Sequence, residues 1–189
     1  MEQKLIKGAI AFFIAVFLLA ILWPYQPKLI DWDLEPNYEV QEHAELFFNN
    51  TRITAYRTEE SEALQEQGFK VHRSAKAVLD TTQPLVNYAI INHWRADRAY
   101  IIAEPNASSR WGEQAVLAFA DTSLTVDWLH MDFEDHYRLA AQLFQAQLDN
   151  ERIWLVGAND STLLFGTQGN ESANRTVLRD YFRLIGRYR

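Results

Sequence analysis

The sequence predicts an α+β domain, with a mainly antiparallel sheet packed by helices, behind a single N-terminal transmembrane helix. Three observations carry that expectation. Residues 8–23 (GAIAFFIAVFLLAILW) form an apolar run without one charge. Between residues 99 and 131, β-prone stretches alternate with turn-rich segments. Helical 3.6-residue patterns then dominate residues 134–148 and 172–188. Strands gathered together, with helices after them, indicate α+β rather than a strictly alternating α/β fold.

Composition narrows the function classes. The 189 residues contain no Cys, which removes disulfide frameworks, thiolate zinc sites, iron–sulfur clusters and cysteine nucleophiles together. A net charge of −7 argues against a dedicated nucleic-acid binder, so no nucleic-acid partner is expected. No Walker A loop, GxGxxG, GxSxG or EF-hand spacing occurs, and no cofactor is expected.

The apolar run reads as an uncleaved anchor in the lipid bilayer. A signal peptide would lead into small residues, whereas this run leads into Trp23, Pro24 and Tyr25. Sixteen helical residues span about 24 Å against a ~30 Å hydrocarbon core. Leu5 and Ile6 extend the span if Lys7 snorkels, and Trp23 and Tyr25 suit the far interface. Lys4 and Lys7 keep the N-terminus cytoplasmic by the positive-inside rule. The expected organisation is a cytoplasmic stub (1–7), the anchor (8–23), a juxtamembrane linker holding three Pro (24–37) and an extracytoplasmic domain (38–189). In a bacterium this is a single-pass inner-membrane protein with a periplasmic domain.

Within the domain, residues 38–48 carry a helical stripe of Val40, Ala44, Phe47 and Phe48. Residues 51–57 read as a strand, 59–67 as a helix capped by Thr58 and stopped by Gly68, and 69–73 as a strand, together resembling a short βαβ unit. Pro84 suits the first turn of a helix running to Trp94. Strands are expected at 99–104, 114–120 and 124–131, then a helix at 134–148 with Tyr137, Ala140, Ala141, Phe144 and Leu148 inward. A hairpin pairs 153–157 with 162–166. The last helix, 172–188, buries Val177, Leu178, Tyr181, Phe182, Ile185 and Tyr188.

Four features could carry function. His130, Asp132 and His136 offer two imidazoles and a carboxylate for a divalent metal, although Asp132 also reads as a helix N-cap. Trp94, Arg95 and Arg98 could form an anion-binding or carbohydrate-facing edge. Arg175, Arg179, Arg183 and Arg187 recur every four residues, making a slowly drifting basic stripe on the last helix. Residues 171–189 carry net +3 and residues 31–66 net −8, so the stripe could dock an acidic partner, face anionic headgroups or meet the acidic half internally. Finally, glycosylation-type sequons begin at Asn49, Asn106, Asn159, Asn170 and Asn174, an excess that would fit a lumenal glycoprotein but is also ordinary turn and cap chemistry. Without Cys, the bacterial reading is favoured and the sequons are idle.

These features point to a membrane-anchored binding domain, an accessory subunit of an envelope or membrane complex with a membrane or periplasmic protein as partner. The alternatives are a metal-assisted hydrolase built on His130, Asp132 and His136, or a ligand-binding sensor domain.

Overall fold

The computed structural model describes residues 12–14, 16–17, 35–79, 82–106, 114–157 and 160–188. Most of the expected anchor and linker therefore lies outside the described residues. Phe12, Phe13, Ile14, Val16 and Phe17 are helical and exposed. Among the described residues, no helix is long and apolar enough to cross a membrane.

The described elements form an α+β fold with two four-stranded antiparallel sheets. The first sheet runs β1 (Tyr56–Glu59), β2 (Phe69–Ser74), β3 (Val86–His93) and β4 (Arg98–Pro105) in sequence order. The second has the order β6 (Thr122–Asp127), β5 (Gln114–Phe119), β7 (Trp154–Val156) and β8 (Ser161–Leu163). Helix α1 (Glu42–Phe47) precedes β1, α2 (Glu62–Gln67) joins β1 to β2, α3 (Phe133–Leu148) joins β6 to β7, and α4 (Gln168–Leu184) follows β8.

Three local expectations are corrected. Residues 51–55, read as strand from their β-branched side chains, continue α1 as a π turn over Phe48–Arg52 and a 3-10 turn over Ile53–Ala55. Tertiary bonds override propensity here: Phe48 is buried in the core and Arg52 reaches the last helix. β1 and β2 pair antiparallel (Thr58 opposite His72), not as a parallel βαβ unit. Parallel neighbours need a crossover of a dozen or more residues, and the six-residue α2 is too short. It is capped by Ser61, not Thr58, and ends at Gly68 with φ +83°, as expected for a left-handed cap. The helix expected from Pro84 is strand β3. Val86, Tyr88 and Ile90 are buried, but so are Asn87 and Ala89 on the opposite face. A strand buried on both faces loses its two-residue alternation and becomes indistinguishable from a helix by pattern.

The core forms where α3 and α4 meet the sheets. Tyr137, Ala140, Ala141 and Phe144 are buried as expected, as are Val177, Leu178, Tyr181, Phe182 and Ile185. The Phe144 and Phe182 rings stack at 5.7 Å. Asp132 and Asp135 close a capping box at the start of α3. α4 starts a turn earlier than the sequence suggests, capped by Thr167, and ends at Leu184 rather than Tyr188. Gly186 causes the early stop. At φ +71° it turns the chain back, so the Arg187 and Tyr188 amides both donate to the Phe182 carbonyl. Any Cβ there would also come within 2.9 Å of Gln41 Cγ.

Buried polar groups join the layers. Asn174 Oδ1 accepts from the Tyr88 amide at 2.8 Å, while its Nδ2 donates to Asn87 Oδ1 and the Asn170 carbonyl. Asn170 in turn accepts from the Val78 amide and donates to the Phe165 carbonyl. Two of the five sequons are thus buried structural asparagines whose amides are already used, and a glycan at either position would break this fold.

Asp180 joins α4 to residues far back in the chain. Its side chain is 1% exposed, and Oδ2 accepts from Arg52 Nε and from the Tyr56 hydroxyl, both at 2.8 Å. These bonds tie α4 to the π turn and to the first residue of β1. Asp180→Ala leaves a half-buried guanidinium and a buried phenol unpartnered, so it should cost about 3 kcal/mol in urea unfolding. Asp180→Asn, which keeps an acceptor oxygen, should cost less. A loss below about 1 kcal/mol for the alanine variant would contradict this role.

Candidate functional site

The proposed metal ligands do not converge on one point. Asp132 Oδ1 accepts from the Asp135 amide at 2.9 Å as the cap of α3. His130 is exposed, and its Nδ1 lies 3.0 Å from Asp127 Oδ2. That hydrogen bond holds the Asp127 carboxyl below its ordinary pKa. His136 points the other way, towards β4, where its Nδ1 accepts from the Ala103 amide at 3.2 Å. Among the described residues, no group of three or more His, Asp or Glu side chains could hold a metal ion.

His136 serves the sheet edge. β4 is the outer strand of the first sheet, and edge amides left open invite pairing with other chains. Here the Ala99 amide donates to the Tyr38 carbonyl, the Val40 amide donates to the Asp97 carbonyl, and His136 takes the Ala103 amide. The segment leading into α1 and the first turn of α3 therefore close that edge.

The arginine stripe divides into three environments. Arg175 lies about 12 Å along the helix from Arg183, in a separate hollow of ≈ 600 Å³ shared with Glu151, Arg152 and Glu171. Arg179 sits with Nε 3.7 Å from Asp180 Oδ1, an internal contact of the core network. Arg183 and Arg187 alone are brought to one place. Gly186 lifts Arg187 off the helix, and its Nη2 donates to the Glu35 carbonyl at 2.9 Å. Arg183 holds its guanidinium 5.7 Å from the Tyr188 ring centroid, a cation–π contact.

These two arginines form one wall of a groove of ≈ 820 Å³. Helix α1 is the other wall and contributes Gln41, His43, Ala44 and Phe47; Asn37, Ile185, Gly186 and Tyr188 complete the lining. Among the described residues, no Asp or Glu lines it. α1 has no buried residue, and Leu46 and Phe47 are exposed at 58% and 45%. The chain enters the domain beside this groove, because Asn37 lines it and Glu35 is bonded to Arg187. The groove can therefore take an extended or helical segment with carboxylates for the arginines and an apolar side chain for Phe47. Sequence reasoning reached Arg183 and Arg187 through their spacing but missed His43, Phe47 and Tyr188. The Gly186 that brings them together was the available signal.

No family model, curated protein or solved structure matches this chain.

Two imidazoles are held neutral by the fold. Burial, assisted by nearby Lys70 and opposed by Glu60, pushes His72 down to about 4. Burial also lowers His136, against the opposing pull of Asp135 and Asp132. An unfolded His titrates near 6.5, so below that pH the unfolded chain binds more protons and the fold loses stability. The contribution is complete above about pH 6.5 and is lost as pH falls towards 4; for His72 it is on the order of 3 kcal/mol. Urea midpoints measured from pH 7 to 4.5 should fall, and more steeply for the native chain than for His72→Gln. Equal slopes for the two would contradict the buried neutral imidazole.

Proposed function

We propose that this chain is a single-pass membrane protein whose domain works outside the cytoplasm, in the periplasm of a bacterium, as a binding subunit of an envelope or membrane complex. The observation that carries the reading is the groove between α1 and the end of α4. Its described lining is cationic and holds no carboxylate, in a chain whose net charge is −7. A local field of opposite sign to the whole molecule selects an acidic segment, while the exposed Phe47 adds an apolar anchor point.

The position of the groove supports the same reading. It lies where the chain enters the domain from the uncharged run at 8–23, which favours a partner at or near the bilayer. Tethering raises the effective concentration of two membrane-held partners, so modest intrinsic affinity is enough. The occupant is an acidic, partly apolar segment of a membrane or envelope protein. The hydrolase alternative gains no comparable support, because His130, Asp132 and His136 are each engaged separately.

Extraction of the full-length chain from its native membrane in mild detergent should yield a defined set of co-eluting membrane or envelope proteins by mass spectrometry. The double variant His43→Glu, Arg183→Glu should lose that set by at least tenfold. His43 is exposed and Arg183 forfeits one cation–π contact, so the variant should unfold within about 1 kcal/mol of the native chain. Unchanged co-elution of the same proteins with the double variant would remove the groove from the account.

A further inference from the structure

On the opposite side of α1 lies a second cleft, of ≈ 670 Å³, in the middle of the range for small-molecule sites. Its floor is one face of the first sheet: Thr58 on β1, His72 on β2 and Asn92 on β3. Asn49 of the π turn lies on one wall, and the turn joining β3 to β4 brings Trp94 and Arg95 to the rim.

Two floor residues set the chemistry of this cleft. His72 and Asn92 are 3% and 5% exposed, yet both line the cleft. His72 Nδ1 is 2.9 Å from Thr58 Oγ1, while Nε2 has no hydrogen-bond partner among the described residues. Among the described residues the Asn92 carboxamide has none either. Neither is a sealed, unsatisfied group, so these atoms stay open to the cleft. A fold whose other buried asparagines, Asn87, Asn170 and Asn174, are all bonded has left these two facing one cavity.

The charges in the cleft cancel. Lys70 Nζ is paired with Glu60 Oε1 at 2.9 Å. Arg95 Nη1 donates to the Glu66 carbonyl at 2.7 Å, its guanidinium lies 4.9 Å from the Trp94 ring centroid, and Glu45 also lines the cleft, so its described acids and bases are equal in number. An ionic ligand would find no net field. What remains are neutral donors and acceptors (amides, a hydroxyl, a neutral imidazole) beside an indole that is 44% exposed. A sugar ring presents that chemistry in complement: hydroxyls around its rim and an apolar C–H face that lies flat on an aromatic ring.

We propose that this cleft binds a neutral oligosaccharide, with Trp94 stacking on a sugar face and Asn92 and His72 hydrogen-bonding its hydroxyl or acetamido groups. The site is independent of the α1–α4 groove, and neither reading rests on the other. Asn92 and His72 escaped the sequence analysis because single polar residues inside β-prone runs carry no motif. Trp94 was visible as an aromatic beside Arg95, but the cleft places it with amides rather than with Arg98.

The test is saturation-transfer NMR and calorimetry on the full-length chain in lipid nanodiscs, with chitotriose, cellotriose and maltotriose as probes and inorganic phosphate as the charged control. At least one trisaccharide should bind saturably and phosphate should not. Trp94→Ala, at an exposed turn position, should weaken that binding at least tenfold while leaving the unfolding midpoint unchanged, and Asn92→Ala should weaken it further. Binding of none of the three sugars, preferential binding of phosphate, or sugar binding that Trp94→Ala leaves intact would each overturn the proposal.

Discussion

A single buried carboxylate organises the N-terminal half of this domain. Asp180 projects from α4 into a site closed to solvent, where Arg52 and Tyr56 converge on one of its oxygens. A buried charge is tolerated only when paired and hydrogen-bonded, so this site constrains both partners as much as it depends on them. Arg52 can reach it because the helix widens into a π turn at Phe48–Arg52, a geometry that recurs at functional positions in helices. The same turn drops Phe48 into the core beside Tyr56 and His72. Where α1 lies is therefore decided at its C-terminal end.

The other end of α1 is held by the backbone of α4. The Gln41 amide donates to the Leu184 carbonyl at 2.8 Å, and Gly186 packs against the Gln41 side chain. Between these two fixed points α1 buries none of its residues, an unusual condition for a helix in a folded domain, where stability comes mainly from a packed apolar face. It acts as a partition. Gln41, His43, Ala44 and Phe47 face the cationic groove, while Glu45 and Asn49 face the neutral cleft. Among the described residues, the acids of 35–66 are thereby kept out of the groove, whose described lining holds only uncharged side chains, His43, Arg183 and Arg187.

How much of this was legible in the sequence follows from where each signal originates. α3, α4 and the hairpins of the second sheet were readable because amphipathic period and turn residues are local properties. The capping residues of α3 and the left-handed Gly68 belong to the same class. β3 was not, since a strand covered on both faces displays helix-compatible apolarity. Residues 51–55 were not, because Thr51, Ile53 and Thr54 favour a strand and only the distant Asp180 and the core hold them in helical turns. The arginine stripe is interrupted: the helix stops at Leu184, ahead of Arg187, and one member, Arg179, belongs to the core network. Asn170 and Asn174 resembled surface sequons because sequence spacing cannot distinguish an exposed turn from the buried end of a helix.

The most direct test of the groove as a partner surface is site-specific photocrosslinking in the native membrane. A photoreactive phenylalanine analogue placed at Phe47 reports on the groove, and the same group at Leu129, which is more exposed and does not line the groove, reports background. The account predicts a discrete adduct from position 47 with one membrane or envelope protein, mapping to an acidic segment, and none from position 129. Adducts with lipid alone from position 47, or the same proteins captured equally from both positions, would contradict it.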